Sequence, residues 1–512
     1  MKDEFPLTHD AFVNSDHHHT VRRIGLRVFS STGWMGGINY VLNWARALRT
    51  LPRTERPEVL FLHADDNGRL IAEEHRHLVD RIEAFGEARR FALDFVYPAT
   101  QVAEAPFGVP WAGWVPDWQC KHLPEMFDAA ELTRRDLTYR TLATAAPLLV
   151  LSSQMALEDT RRVVGPDTVS LRKLHFPAVL DDDAYNTAPQ DIAQAKRKYG
   201  LPERYLLVCN QFWRHKNHRI VFEALAKDGA QDVVCAFTGD TKDGRWPDYF
   251  PELQGLIGSL GIGNRVRILG RIDRRNQMIL LLGAVGVVQP SRFEGWSTVV
   301  EECRAIDKPI ILSDFPVHRE QSPPGSQFVG MENADALATA MRVLWESATP
   351  PVLPTQQRER HRAYVQDCAR VLLSVAREAR DAYDPVRHDP SVIMARVLGD
   401  LHRRRQQLDG VQAALRQRTT AVVRTILKDH PEGLAAFMHV VREDYRGFDA
   451  EARVQIEAPT ASMMSEPARL AYMALADGRQ PSRLRMLRAR LVGTAKAAIR
   501  RMVLDGLRRP SA

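Results

Sequence analysis

Glu294 and Glu302 are separated by seven residues, and Gly295, Trp296, Ser297 and Thr298 follow directly on the first carboxylate. An apolar run over Gly286–Gln289 leads into this pair, helix-forming sequence carries Glu302, and residues 308–314 read as a further strand. The order is strand, tight turn, helix. A helix start leaves backbone N–H groups without intrahelical partners, so a small-residue turn feeding one suits a diphosphate. At 3.6 residues per turn, Glu302 lies about two turns into the helix and can face the same cleft as Glu294 at its mouth. Two solvated acids on an ordinary helix would give the same spacing, but the turn before and the strand after both favour a cleft.

Upstream, residues 205–210 form another strand-like apolar run. Gln211, Arg214, His215, Lys216 and His218 come next, and apolar residues at helical spacing follow from Ile220. A strand that ends in a cationic loop and feeds a helix N-terminus is again an anion site. Alone it would be a charged loop over a buried strand; beside the Glu294 turn it reads as the second half of a site. Fixed cations and helix starts stabilise the negative charge that builds on a departing diphosphate.

Together these segments resemble the E-x7-E motif and lysine loop of retaining GT-B glycosyltransferases of the family-4 type (glycosyl transferases group 1). The resemblance covers residues 21–385. It implies an α/β fold, GT-B, with two Rossmann-like doubly wound lobes facing a cleft, here followed by a C-terminal helical extension. It also implies transfer of a sugar from a nucleotide-sugar donor to a saccharide or lipid-linked acceptor in surface polysaccharide or glycoconjugate synthesis, with retention and without cofactor or metal. In register, Lys216 takes the place of the family's diphosphate lysine, while Gln211 stands where relatives carry arginine, leaving Arg214 as the candidate substitute. Glu294 is expected beside the transferred sugar, and Glu302 is expected to accept the ribose hydroxyls. Gly295, Trp296, Ser297 and Thr298 form the donor turn, and Arg271 and Ile272 match the loop that meets the nucleobase.

The first-lobe motifs belong to the same resemblance. Gly36 and Gly37 follow the first strand, as in the family's Gly-Gly loop near the donor phosphate, where missing side chains permit close approach. Asp117, Gln119, His122, Pro124 and Glu125 are similar to an acceptor-side loop of some relatives. Pro116 and Asp117 occupy the place of a His-Asp pair, so Asp117 is the candidate to orient or deprotonate a hydroxyl and His122 the candidate replacement imidazole. A turn-capping role for Asp117 is the competing reading. Trp111, Trp114 and Trp118 fit either a carbohydrate cleft or core packing.

The alternating apolar and amphipathic stretches that must hold these residues divide the chain into five parts. These are a flexible N-terminal tail (1–20), an acceptor-side lobe (21–190), a nucleotide-sugar-binding lobe (191–350), return helices (351–388) and a basic helical extension (389–512). The 512 residues suit about three domains. Asp181, Asp182 and Asp183 read as part of a linker, and the His17–His19 run sits in a polar tail, so no metal is expected. Five cysteines without a C-x-x-C pair give neither a disulfide framework nor a zinc site. The start of the chain has no basic-then-apolar leader, and its longest apolar stretch, 278–288, is too short to span a bilayer. A cytoplasmic protein is expected, with attachment to the inner face of the membrane as an option.

The net charge of +7 is weighted towards the tail, away from the motifs, which argues against specific nucleic acid as the partner. Between 483 and 509, nine Arg and Lys residues face only Asp505, with apolar residues at three- or four-residue spacing. That pattern suits a helix lying on an anionic membrane surface, or one packed on the protein body. A catalytically inert GT-B scaffold and a nucleotide-sugar epimerase are the other functional readings.

Overall fold

Strands buried on both faces require apolar runs, and most of the thirteen strands among the described residues carry one, while the edge strands Arg81–Ala84 and Leu171–Lys173 are more polar. The computed structural model describes residues 20–407 other than 31–33, 107, 181, 348–354, 401 and 404. β1 (Arg23–Arg27), β2 (Glu58–His63), β3 (Arg81–Ala84), β4 (Phe95–Ala99), β5 (Trp111–Val115), β6 (Leu149–Leu151) and β7 (Leu171–Lys173) form a parallel sheet in the order β3-β2-β1-β4-β5-β6-β7. β8 (Leu206–Cys209), β9 (Cys235–Thr238), β10 (Val266–Gly270), β11 (Gly286–Gln289), β12 (Ile310–Ser313) and β13 (Gln327–Val329) form a second, in the order β10-β9-β8-β11-β12-β13. Helices intervene between most successive strands. These are two doubly wound α/β lobes, the architecture expected of a GT-B fold.

Strand order reverses between β1 and β4 and again between β8 and β11, which pair directly through Leu207 and Val287. In doubly wound sheets the crevice at such a reversal, beyond the carboxyl ends of the strands, is where ligands bind. The Lys216 loop leaves β8 and the Glu294 turn leaves β11, so both lie at the second reversal.

The long helix Thr355–Ala382 spans both lobes. Its Gln366 amide donates to the Thr50 carbonyl at 2.6 Å, and its Tyr364 hydroxyl donates to Glu301 Oε2 at 3.1 Å. Phe293, Trp296, Phe315 and Val317 of the second lobe pack into the core of the first.

The structure decides one reading that the sequence left open and corrects another. Trp111, Trp114 and Trp118 are all buried, their indoles donating to the His388 carbonyl, Ser152 Oγ and Thr160 Oγ1. They are core, because each finds both an apolar bed and an acceptor for its N–H. Gly36 and Gly37 lie in the first turn of helix Met35–Thr50, not in a loop ahead of a helix starting later. A Cβ at Gly37 would come within 2.6 Å of the Trp34 ring, which explains the residue by packing.

The chain divides into compact units Met1–Val397 and Leu398–Ala512, and both sheets belong to the first. The expectations for the N-terminal tail, the His17–His19 run and the basic segment 483–509 lie outside the described residues. No described helix is long and apolar enough to cross a membrane.

Candidate functional site

The Lys216 ammonium meets both oxygens of Glu294, at 2.7 and 2.9 Å. The loop after β8 places it: residues Arg214–Lys216 make one 3-10 turn, and Asn217, at φ 57°, turns the chain into helix His218–Leu225. Asn217 Nδ2 is tied to the Pro290 and Met331 carbonyls at 3.2 and 2.9 Å, which fastens this loop to the one after β11. Behind Glu294 lies a polar chain that is buried throughout. Asn210 donates to Gln289 Oε1 at 2.8 Å, and Gln289 Nε2 donates to Glu294 Oε1 at 2.9 Å. Burial drives the Glu294 carboxyl upward, but Lys216, His318 and Ser291 outweigh it and hold the group below its ordinary value. Glu294 is therefore an anion at neutral pH.

The first lobe closes on this pair. A Cβ on Gly295 would stand 2.7 Å from the Pro116 carbonyl and 3.0 Å from Asp117 Oδ2, so only glycine allows that approach. Asp117 Oδ1 accepts the Gln119 amide at 2.9 Å, the turn-capping geometry, while its other oxygen faces Gly295. Burial raises the Asp117 carboxyl, and nearby Glu294 adds to that, against Gln119, Arg135 and Lys216. A group held up in this way beside a carboxylate is suited to exchanging a proton.

Glu302 is 1% exposed. Its Oε1 accepts from Arg274 at 2.5 Å, and its Oε2 is buried without a hydrogen-bond partner among the described residues. A buried, unsatisfied carboxylate oxygen is costly unless a ligand hydroxyl completes it. The first turn of helix Thr298–Ala305 presents amides towards the same end of the sheet. The Ser297 amide is not among the free ones, because Gln321 Oε1 accepts it at 2.9 Å while Gln321 Nε2 holds the Ser297 carbonyl at 3.0 Å.

Other predicted residues are placed differently. The Trp296 indole is spent on the other lobe, donating to the Phe176 carbonyl at 3.2 Å and stacking on His175 at 4.0 Å. Arg214 lies over the Trp246 ring at 4.5 Å. Arg271 reaches Met35 Sδ at 3.6 Å, and Ile272 packs against a cluster of the second-lobe core. Gln211 lies just beyond the end of β8, where Gly239, at φ 130°, passes so close that a Cβ there would clash with the Asn210 carbonyl. His122 Nε2 bonds Asp159 Oδ2 at 2.6 Å and stands 5.3 Å, ring to ring, from Phe293. His215 and His218 are buried and neutral; burial, and then Lys216, holds His215 well below its ordinary value, and burial takes His218 to about 3.

Residues 191–364 match the model of the family described as glycosyl transferases group 1. Over 162 residues the chain is 27% identical to the O-antigen chain mannosyltransferase RfbU of Salmonella typhimurium, covering 31% of this chain and 42% of that one. It is 28% identical over 176 residues to the alpha-D-kanosaminyltransferase of Streptomyces kanamyceticus, covering 33% and 43%. The chain thus spans less than half the length of either relative. Among solved structures, Anabaena HepE in complex with UDP is similar at 18% identity and a TM-score of 0.48, over 74% of this chain and 99% of that one. Sucrose-phosphate synthase from Thermosynechococcus elongatus is similar at 15% identity and a TM-score of 0.46, over 76% and 100%. At those scores the fold assignment rests on the sheet topology itself.

Within the matched segment, sequence reasoning missed Arg274, Gln289, His318 and Gln321. Gln289 left a signal, an amide at the end of an apolar strand that had to be buried and hydrogen-bonded. The other three reach the site through packing and left none.

Proposed function

We propose that this chain is a glycosyltransferase that moves a sugar from a nucleotide-sugar donor to a saccharide or lipid-linked acceptor, with retention, in surface polysaccharide or glycoconjugate synthesis. The observation that carries this reading is the Lys216–Glu294 pair, its carboxylate buried and its ammonium half-buried, at the reversal between β8 and β11, together with the unpaired oxygen of Glu302 among the described residues. The group 1 match and the two sugar-transferring relatives support it.

In this reading Glu302 Oε2 accepts a ribose hydroxyl, and Lys216 with the helix start at Thr298 takes the diphosphate. As the anomeric C–O bond breaks, its electron pair passes to the diphosphate, where the fixed cation meets it. The acceptor oxygen bonds the anomeric carbon from the same face, and its proton goes to the departing phosphate. Glu294 stays ionised beside the sugar and orients Lys216.

A thermal-shift panel of UDP-, GDP- and ADP-sugars tests the reading, since a ligand that binds only the folded state raises its stability. One nucleotide class is expected to raise the melting temperature and to be released on turnover with a glycosyl acceptor. Binding without turnover would identify an inert scaffold, and conversion of the donor sugar without transfer would identify an epimerase. Glu302→Ala is expected to weaken free-nucleotide affinity about tenfold or more, the size of a lost hydrogen bond to a charged group. Unaltered affinity in a titration would remove Glu302 from the ribose.

A further inference from the structure

A cavity of about 550 Å³ opens between helix Gln154–Val164 of the first lobe and helix Pro316–Gln321 of the second. We propose that it is the acceptor site, and that it takes an uncharged pyranose unit in preference to a phosphate- or carboxylate-bearing one. The inference rests on the sugar-transfer reading and adds to it a place and a charge class for the acceptor.

Position comes first. His122 lines the cavity, and its ring stands 5.3 Å from Phe293, the residue before Glu294. Pro316 lines the opposite side, next to Phe315, whose ring is also 5.3 Å from Phe293. The Phe293 ring thus connects the cavity's His122 to the turn that carries Glu294. Its volume falls in the range of roughly 300–1,000 Å³ usual for small-ligand sites.

Charge decides the class. Arg162 and Lys173, the arginine and the lysine that line the cavity, each already have a carboxylate: Arg162 bonds Asp159, which also holds His122 Nε2, and Lys173 bonds Glu320 at 3.0 Å. Glu320 also accepts from His175 at 2.8 Å and from the Gln154 amide at 2.8 Å, so it is held from three directions. Glu158 is left in excess, its partner being the neutral Gln154 side chain at 2.9 Å. A phosphate would have to pull Arg162 or Lys173 off its acid and lie near Glu158. Sugar hydroxyls need no such exchange, because each can donate to a carboxylate and accept from the cation paired with it. Met155, half-buried on the same wall, supplies an apolar surface for the C–H face of a pyranose.

The test is saturation-transfer NMR on the full chain with saturating UDP or GDP. The probes are the methyl glycosides of glucose, galactose, mannose and rhamnose, against glucose 6-phosphate and glucuronic acid. At least one neutral glycoside is expected to give signal and neither anionic sugar to do so. Met155→Trp, which fills the cavity, is expected to abolish that signal, and the exposed Glu158→Ala to weaken binding about tenfold, as one lost charged hydrogen bond would. Nucleotide binding, followed in the same samples, is expected to be unchanged in both variants. Preference for an anionic sugar, no neutral glycoside bound by the wild type, or signal surviving both substitutions would overturn the proposal. Loss of nucleotide binding by the wild type would instead overturn the function on which it rests.

Discussion

Lys216→Ala is expected to lower turnover by about 10²-fold or more, the scale of removing one donor from a preorganised anion site. Its ammonium is the only cation in hydrogen-bond contact with Glu294 among the described residues. Arg214, the other candidate for the diphosphate, is engaged with Trp246. The substitution has a second consequence that the sequence did not announce. Glu294, 8% exposed, loses its counter-charge, and breaking a buried pair from one side costs about 3–5 kcal/mol. Turnover must therefore be compared at a temperature where both proteins are folded, as a melt will show. The double variant Lys216→Ala with Glu294→Gln separates the two effects, recovering stability while turnover stays low. Unchanged turnover in the single variant would remove Lys216 from the chemistry.

The contrast between these two effects shows which parts of the site are written locally. Strand, turn and helix around Glu294 are consecutive in the chain, and each has its own signature: an apolar run, Gly295, then helix formers. The lysine loop repeats that logic after β8, so the parallel sheets and the meeting of Lys216 with Glu294 at their ends were both legible. What was not legible depends on contacts between distant segments. Gln321 claims the Ser297 amide from 24 residues away, and Trp296 turns its indole to the other lobe. The three tryptophans around Asp117 carried no mark that distinguished a sugar platform from core, because aromatic residues serve both. Gly37 looked like a phosphate-loop glycine, and the Trp34 ring gives it a packing explanation. The cavity beside His122 exists only once two lobes meet, and no periodicity encodes it.

Glu294→Gln separates the two halves of the Lys216–Glu294 pair more cleanly than truncating the lysine, and here the direction differs for binding and turnover. The amide keeps the shape and still accepts from Gln289 or Lys216, but it removes the negative charge that Lys216 faces. A free nucleotide diphosphate then competes with a neutral group, so its affinity is expected to hold or tighten in a titration. Turnover is expected to fall about 10²-fold, because Glu294 no longer fixes the ammonium or stands as an anion beside the sugar. The acid limb of the stability profile should change as well. In the wild type the Glu294 carboxyl is held below its ordinary value, so its contribution is fully present above the usual carboxylate range and is lost as pH falls through the depressed value. The glutamine variant lacks that titration, and its melting temperature should depend less steeply on pH in that acid window. Parallel losses of nucleotide affinity and turnover would place Glu294 on the nucleotide instead of the sugar.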